Sequence, residues 1–295
     1  MSSEIPFCEA ARTVVRRPEV AVPAKSCDTH AHVFGRHEDF PFTPNRTYTP
    51  PEASLEQYLE LHQMLGIERG VLVQPSVYGT DNSLHLQALR HLREWGYDYR
   101  GVCVVAPGVS STELEELHEA GFRGVRMNLL FRGGLQWNDV LGLADRIADL
   151  GWHLQFLINV SDCDDIMDRV AELPVPVVFD HMGHMPATLG TGQSGFRKLL
   201  RLLADNRAWV KLSGSYRVTL QGEYPYPDVE EIARALVAAN ANRCVWGSDW
   251  PHPHFSGLMP DDTDLLEDLA VWVPDEETRK RILVSNPARL YGFDD

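Results

Sequence analysis

The sequence is short of positive charge. It has 27 Lys+Arg against 42 Asp+Glu, a formal net charge of −15. That deficit excludes general nucleic-acid binding, which needs a basic footprint, and it disfavours anionic membrane surfaces. Long apolar runs are missing too. Nothing approaches the roughly 18–20 apolar residues of a membrane-spanning helix, and residues 1–20 hold no secretion-signal core. Cysteine is sparse: Cys8, Cys27, Cys103, Cys163 and Cys244 are odd in number, scattered, and form no C-x-x-C motif. A disulfide framework is therefore excluded, and reduced, mostly buried thiols of a cytoplasmic protein are expected. Repeats, low-complexity tracts and internal linkers are absent. What is present is 44% hydrophobic and 23% charged residues over 295 positions, which excludes disorder and suffices for one barrel or two ordinary domains.

After a polar, proline-dotted arm over residues 1–25, two kinds of segment alternate. Short, continuously apolar runs read as buried parallel strands at 26–30, 70–74, 101–105, 124–127, 153–157, 175–180, 208–212 and 244–247. Amphipathic patterns between them predict helices at 55–65, 83–95, 112–120, 139–150, 164–171, 195–204, 229–239, 262–269 and 276–284. Ser54-x-x-Gln57 is a helix-start signal, as are Ser111 and Thr112 before Glu113. Gly66, Gly96, Gly121 and Gly151 stand where C-terminal caps belong. Eight strands, each followed by helical sequence, predict a single (β/α)₈ barrel over residues 26–295. A doubly wound open sheet is the alternative, but the loop after the first strand reads His-Ala-His rather than G-x-G-x-x-G.

A barrel of this kind carries its chemistry at the C-terminal ends of its strands. The first strand ends in Asp28-Thr29-His30-Ala31-His32, and alternation puts His30 and His32 on one face. The sixth ends in Phe179-Asp180-His181 and the eighth in Trp246-Gly247-Ser248-Asp249. Three imidazoles and a carboxylate thus reach one mouth, and burying them without purpose would cost several kcal/mol of desolvation. Single histidines are usually satisfied core or surface residues. His37, His62, His85, His91, His118 and His153 are read that way.

With these residues the chain resembles the amidohydrolase superfamily, in the branch that contains 2-pyrone-4,6-dicarboxylate lactonase. The carriers are Asp28-Thr-His-Ala-His-Val-Phe-Gly, Asp180-His-Met-Gly and Trp246-Gly-Ser-Asp-Trp-Pro-His-Pro. Further matches are Phe40-Pro-Phe-Thr-Pro, Gly79-Thr-Asp-Asn82, Arg123-Gly-Val-Arg-Met-Asn128 and Asn286-Pro-Ala-Arg-Leu-Tyr291. The resemblance spans nearly the whole chain and implies a distorted (β/α)₈ barrel with lactonase chemistry. It also implies that no metal is required. The site composition alone would permit one Zn²⁺ on His30, His32, His181 and Asp249. A binuclear site is not expected, because the fourth strand reads Gly124-Val-Arg-Met-Asn-Leu, without a bridging Lys or Glu. The fifth strand lacks the tyrosine expected of the 2-pyrone enzyme. The stretch Lys211-Leu-Ser-Gly-Ser-Tyr-Arg is closer to sulfomuconolactone and sugar-lactone relatives.

Lactone hydrolysis needs an activated water and a stabilised oxyanion. Asp249, the only carboxylate counted in the cluster, is the expected general base. His30, His32 and His181 are expected to polarise the carbonyl. Arg126, Arg132, Lys211 and Arg217 fall at mouth positions, and guanidinium forks suit carboxylate or sulfonate. Tyr48, Ser76 and Asn128 are further substrate donors, with Tyr78 and His254 behind them. The expected partner is a small anionic lactone, most readily one from aromatic-compound degradation. A metal-dependent decarboxylase of an aromatic acid, a lactone isomerase and a non-catalytic binding barrel are the competing readings. Oligomeric state is left open. A locally basic pocket in an acidic shell is the consequence for charge.

Overall fold

The computed structural model describes residues 5–128 and 137–294. Its eight strands are β1 (Cys27–Ala31), β2 (Arg69–Val73), β3 (Asp98–Cys103), β4 (Phe122–Asn128), β5 (His153–Leu157), β6 (Val177–Phe179), β7 (Ala208–Leu212) and β8 (Cys244–Trp246). They lie side by side in sequence order, each pairing in parallel with the next. The seam is closed just past the end of β8: Asp249 N donates to His30 O at 2.8 Å and His32 N to Trp250 O at 2.7 Å. This is the single (β/α)₈ barrel expected from the alternation. No described helix is long and apolar enough to cross a membrane.

Most strands are buried along their whole length, because one face meets the barrel interior and the other the surrounding helices. That double burial is why they read as continuous apolar runs. Ser54 caps helix Leu55–Leu65 in the expected capping box with Gln57. Helix Ser111–Ala120 starts one residue earlier than expected. Its cap is Ser110, whose hydroxyl accepts from Glu113 N, the three-residue spacing a capping box uses. β3 also begins earlier, at Asp98 rather than 101. The short helices Ser215–Val218 and Asn286–Tyr291 were not anticipated as such.

The C-terminal segment plugs the end of the barrel where the strands begin. Tyr291 belongs to one buried cluster with Val71, Val73, Val102, Val178 and Trp209, and its ring meets His153 edge-on at 5.2 Å. Phe293 lies under the guanidiniums of Arg69 and Arg100. His153 is therefore structural, as read from its place at the start of its strand. Burial drives its pKa down to about 3, so it packs as a neutral ring. Truncating the plug by Tyr291→Ala should lower the unfolding free energy by about 3–5 kcal/mol in urea titration. The N-terminal arm is stapled to the surface by the Phe7–Thr49 bridge and by Arg16, which pairs with Asp264 and Glu267. Cys27, Cys103 and Cys244 are buried, Cys8 and Cys163 half-buried, and all five are free thiols.

Candidate active site

The opposite end of the barrel holds a cavity of about 470 Å³ lined by His32, His181 and Asp249, a size suited to a small ligand. Three strand ends deliver these side chains, and His30 stands directly behind them. β1 carries one extra residue relative to β2: Asp28 pairs with Gly70, but Ala31 with Leu72. The bulge lets Asp28 turn to Tyr58 of helix Leu55–Leu65, at 3.0 Å, while His30 faces the interior. Glycine makes room for both layers. A Cβ on Gly247 would meet His30 Cβ at 2.7 Å, and one on Gly214 would meet His181 Nδ1 at 2.9 Å.

The backbone of this mouth is strained. Six of the eight described non-glycine residues with left-handed φ are His181, Met182, His184, Asp249, His252 and His254, all in the loops after β6 and β8. Each such residue costs on the order of 1–3 kcal/mol, and such strain gathers where side-chain direction matters.

Asp249 is fully buried and its two oxygens differ. Oδ2 accepts from Tyr216 OH at 2.6 Å and Arg217 Nε at 2.5 Å. Oδ1 is buried without a hydrogen-bond partner and lies 3.7 Å from both His30 Nε2 and His32 Nε2. Burial is the largest single influence and would raise its pKa, but Arg217 together with His181, His30 and His32 outweighs it and holds Asp249 well below the usual carboxylate range. Burial pushes His30, His32 and His181 down, so all three are neutral imidazoles near pH 7. Tyr216 is itself held from behind: His252 Nδ1 lies 3.1 Å from its hydroxyl, and His252 Nε2 3.3 Å from Asp262.

The expected binding residues divide. Tyr48, Ser76, Arg126, Asn128, Arg217 and His254 line the cavity. Arg217 does so while bound to Asp249, so its role is double. Tyr78 is buried outside the lining, with its hydroxyl accepting from Gly35 N at 3.2 Å. Arg132 lies outside the described residues. Lys211 is a correction: it does not reach the mouth. It is fully buried one layer deeper, with Nζ 2.8 Å from Thr29 O, 2.8 Å from Gln155 Oε1 and 3.2 Å from His30 Nδ1.

A second correction concerns carboxylates. Asp249 is not the only one, because buried Asp180 lies 3.2 Å from His30 Nδ1 and 3.5 Å from Arg126 Nε. Burial opposes its charge, but His30, Lys211 and Arg126 hold its pKa well below the usual range. The adjacent Asp180-His181 pair was its visible signal. Sequence reasoning gave no role to Tyr216, His184 or Gln155. Tyr216 was within reach of inference, being next to Arg217.

The ligand atoms of His30, His32 and Asp249 lie within 4.8 Å of one another, as do those of His30, Asp180 and His181. The residue types suit zinc. A metal-bound imidazole donates its other N–H to an acceptor, and His30 Nδ1 has both the Asp180 carboxylate and the Lys211 amine at 3.2 Å.

Barrel and site together define a hydrolase-type enzyme of the (β/α)₈ class. A family model described as amidohydrolase matches residues 27–293, and the chain belongs to that family. It is 36% identical to a 2-pyrone-4,6-dicarboxylate hydrolase of Comamonas testosteroni over 93% of this chain and 92% of that one. It is 38% identical to a 4-sulfomuconolactone hydrolase of Rhizobium radiobacter, covering 98% and 97%. Among solved structures, a probable 2-pyrone-4,6-dicarboxylic acid hydrolase from Acinetobacter baumannii with citric acid bound superposes with a TM-score of 0.80 at 28% identity. That match covers 91% of this chain and all of the other.

Proposed function

We propose that this protein is a lactonase that hydrolyses the ring ester of a small anionic lactone. The observation that carries the mechanism is the asymmetry of Asp249. With Oδ2 saturated by Tyr216 and Arg217, Oδ1 is left as an ionised, unpartnered acceptor beside the imidazoles of His30 and His32. A water held there loses a proton to Oδ1 as its oxygen attacks the lactone carbonyl. The carbonyl oxygen becomes an oxyanion, stabilised by imidazole N–H donors. The C–O ring bond then breaks, and the departing ring oxygen takes the proton from Asp249. The product is the open-chain acid. Arg126, and the face of Arg217 not used by Asp249, supply cationic forks for a carboxylate or sulfonate.

The names of the two curated relatives, a dicarboxylate pyrone hydrolase and a sulfonated-lactone hydrolase, support a doubly anionic lactone as substrate. The citric acid in the solved relative agrees with carboxylate recognition. Water activation by Asp249 needs no metal, which supports a metal-independent reaction. Dialysis against a chelator should leave kcat within about twofold of the untreated enzyme, whereas removing a metal that activates the water would cost several kcal/mol of barrier.

The test is a panel of carboxylated and sulfonated lactones followed by proton release. Hydrolysis of at least one member is expected. Ring migration without acid release would point to an isomerase, CO₂ release to a decarboxylase, and no turnover of any member overturns the lactonase reading.

A further inference from the structure

We propose that Lys211 is a positioning residue that fixes the tautomer of His30, making His30 the N–H donor of the site while His32 presents a lone pair. The inference deepens the lactonase reading and rests on it for its catalytic meaning, though not for its structural content.

Proton counting on Lys211 carries the argument. An ammonium has three protons and no acceptor. Nζ has Thr29 O at 2.8 Å, Gln155 Oε1 at 2.8 Å and His30 Nδ1 at 3.2 Å. Gln155 is oriented by donating Nε2–H to Asp180 Oδ2 at 3.1 Å, which leaves its oxygen for Lys211. A ring nitrogen this close to an ammonium must offer its lone pair, because an N–H would set proton against proton. Asp180 Oδ1 is also 3.2 Å from Nδ1 and 3.6 Å from Lys211 Nζ, but neither approach has hydrogen-bond geometry, so it acts on both groups through its charge. The ring proton of His30 therefore resides on Nε2, which is buried, has no partner and lies 3.7 Å from Asp249 Oδ1.

His32 is held the opposite way. Its Nδ1 lies 2.7 Å from Val73 O, a carbonyl that can only accept, so the proton is on Nδ1 and the lone pair on Nε2. The two rings stand 5.0 Å apart at 89° and show opposite hydrogen-bonding character to the space beside Asp249 Oδ1. A water there gives one hydrogen to Oδ1 and the other to His32 Nε2, while His30 Nε2–H is free to meet the oxyanion. Lys211 thus acts on the reaction without touching substrate.

Long-range proton–nitrogen NMR of protein labelled with ¹⁵N-histidine distinguishes the two tautomers, with the His30 signals assigned by their loss in His30→Asn. The expected result is Nε2–H at His30 and Nδ1–H at His32. In Lys211→Met, His30 should switch to Nδ1–H, now donating to Asp180. kcat should then fall by about 10²-fold, in the range of losing one oxyanion donor, with KM within about threefold. An Nδ1–H signal at His30 in the unaltered protein overturns the proposal even if the variant does not fold. So does a folded Lys211→Met variant that keeps Nε2–H. If the lactonase reading itself fails, no lactone turns over in either protein, but the tautomer measurement still decides the role of Lys211.

Discussion

Replacing Asp249 with Asn should reduce kcat by about 10³–10⁴-fold while leaving KM within a few-fold, the size expected when a positioned general base is lost. The structure gives a specific reason. Tyr216 OH and Arg217 Nε both donate into the Oδ2 position. An asparagine must turn its carbonyl oxygen to meet them, which places its NH₂ where Oδ1 stood. The water that faced an ionised acceptor would face a donor, so its proton would have nowhere to go. The fold should survive, because the amide keeps the shape of the side chain and its oxygen still receives both donors. Steady-state kinetics on the best lactone of the panel, with thermal unfolding as control, decides the matter. A folded variant retaining a tenth of the activity would remove Asp249 from the role of base.

Much of this site was legible because strand ends announce themselves. β1, β6 and β8 each end in a polar pair or triplet directly after apolar residues, so His30, His32, His181 and Asp249 could be gathered before any coordinates. Depth along the barrel axis was harder to read. Lys211 and Arg126 are both cations near strand ends, yet Arg126 lines the cavity and Lys211 lies a layer below it. The difference follows from the stagger of neighbouring strands. Lys211 pairs with Val245, so Ser213, two residues on and just past the end of β7, is the position that reaches His181, at 3.0 Å. Apolar patterning gives the period of a strand but not its register against its neighbours. The β1 bulge was hidden for the same reason, and with it the turn of Asp28 away from His30. Asp180 was overlooked as a carboxylate because a dipeptide says nothing about which of its residues faces inward.

The net charge of −15 also takes on a sharper meaning. It describes the outer shell, where ion pairs such as Arg90–Glu116 and Arg234–Glu230 lie exposed. Of the cations assigned to the mouth, Lys211 is spent on the interior and Arg217 on Asp249. Arg126 is left as the described guanidinium lining the cavity without Asp249 as its partner. Exposed charges are screened over about 8–10 Å at physiological salt, so the shell cannot cancel attraction inside a walled pocket.

Arg217→Met should be the most damaging change outside Asp249 itself, lowering kcat/KM by about 10²–10³-fold through two separable effects. One is the loss of a cationic fork for the substrate anion, which raises KM. The other acts on Asp249. In the native protein burial favours the neutral acid, and the guanidinium at 2.5 Å is the largest of the influences that keep the carboxylate ionised. Without it, Tyr216 is the remaining donor to Oδ2 and burial prevails, so the Asp249 pKa moves up. The base must be ionised to work, so activity is lost as pH falls through that pKa. The native enzyme should therefore show no acid limb from Asp249 near neutrality, whereas the variant should acquire one. Stability follows the same sign. A depressed carboxylate pKa contributes stability above the unfolded value, and that contribution is lost as pH falls through the folded value. Breaking the pair should thus cost about 3 kcal/mol near pH 7 and less at low pH, where Asp249 can take up a proton. Arg126→Met should raise KM without moving the pH profile, because Arg126 neighbours Asp180 rather than Asp249. If Arg217→Met raises KM alone and leaves the acid side flat, some other group sets the ionisation of Asp249 and the double role of Arg217 is wrong.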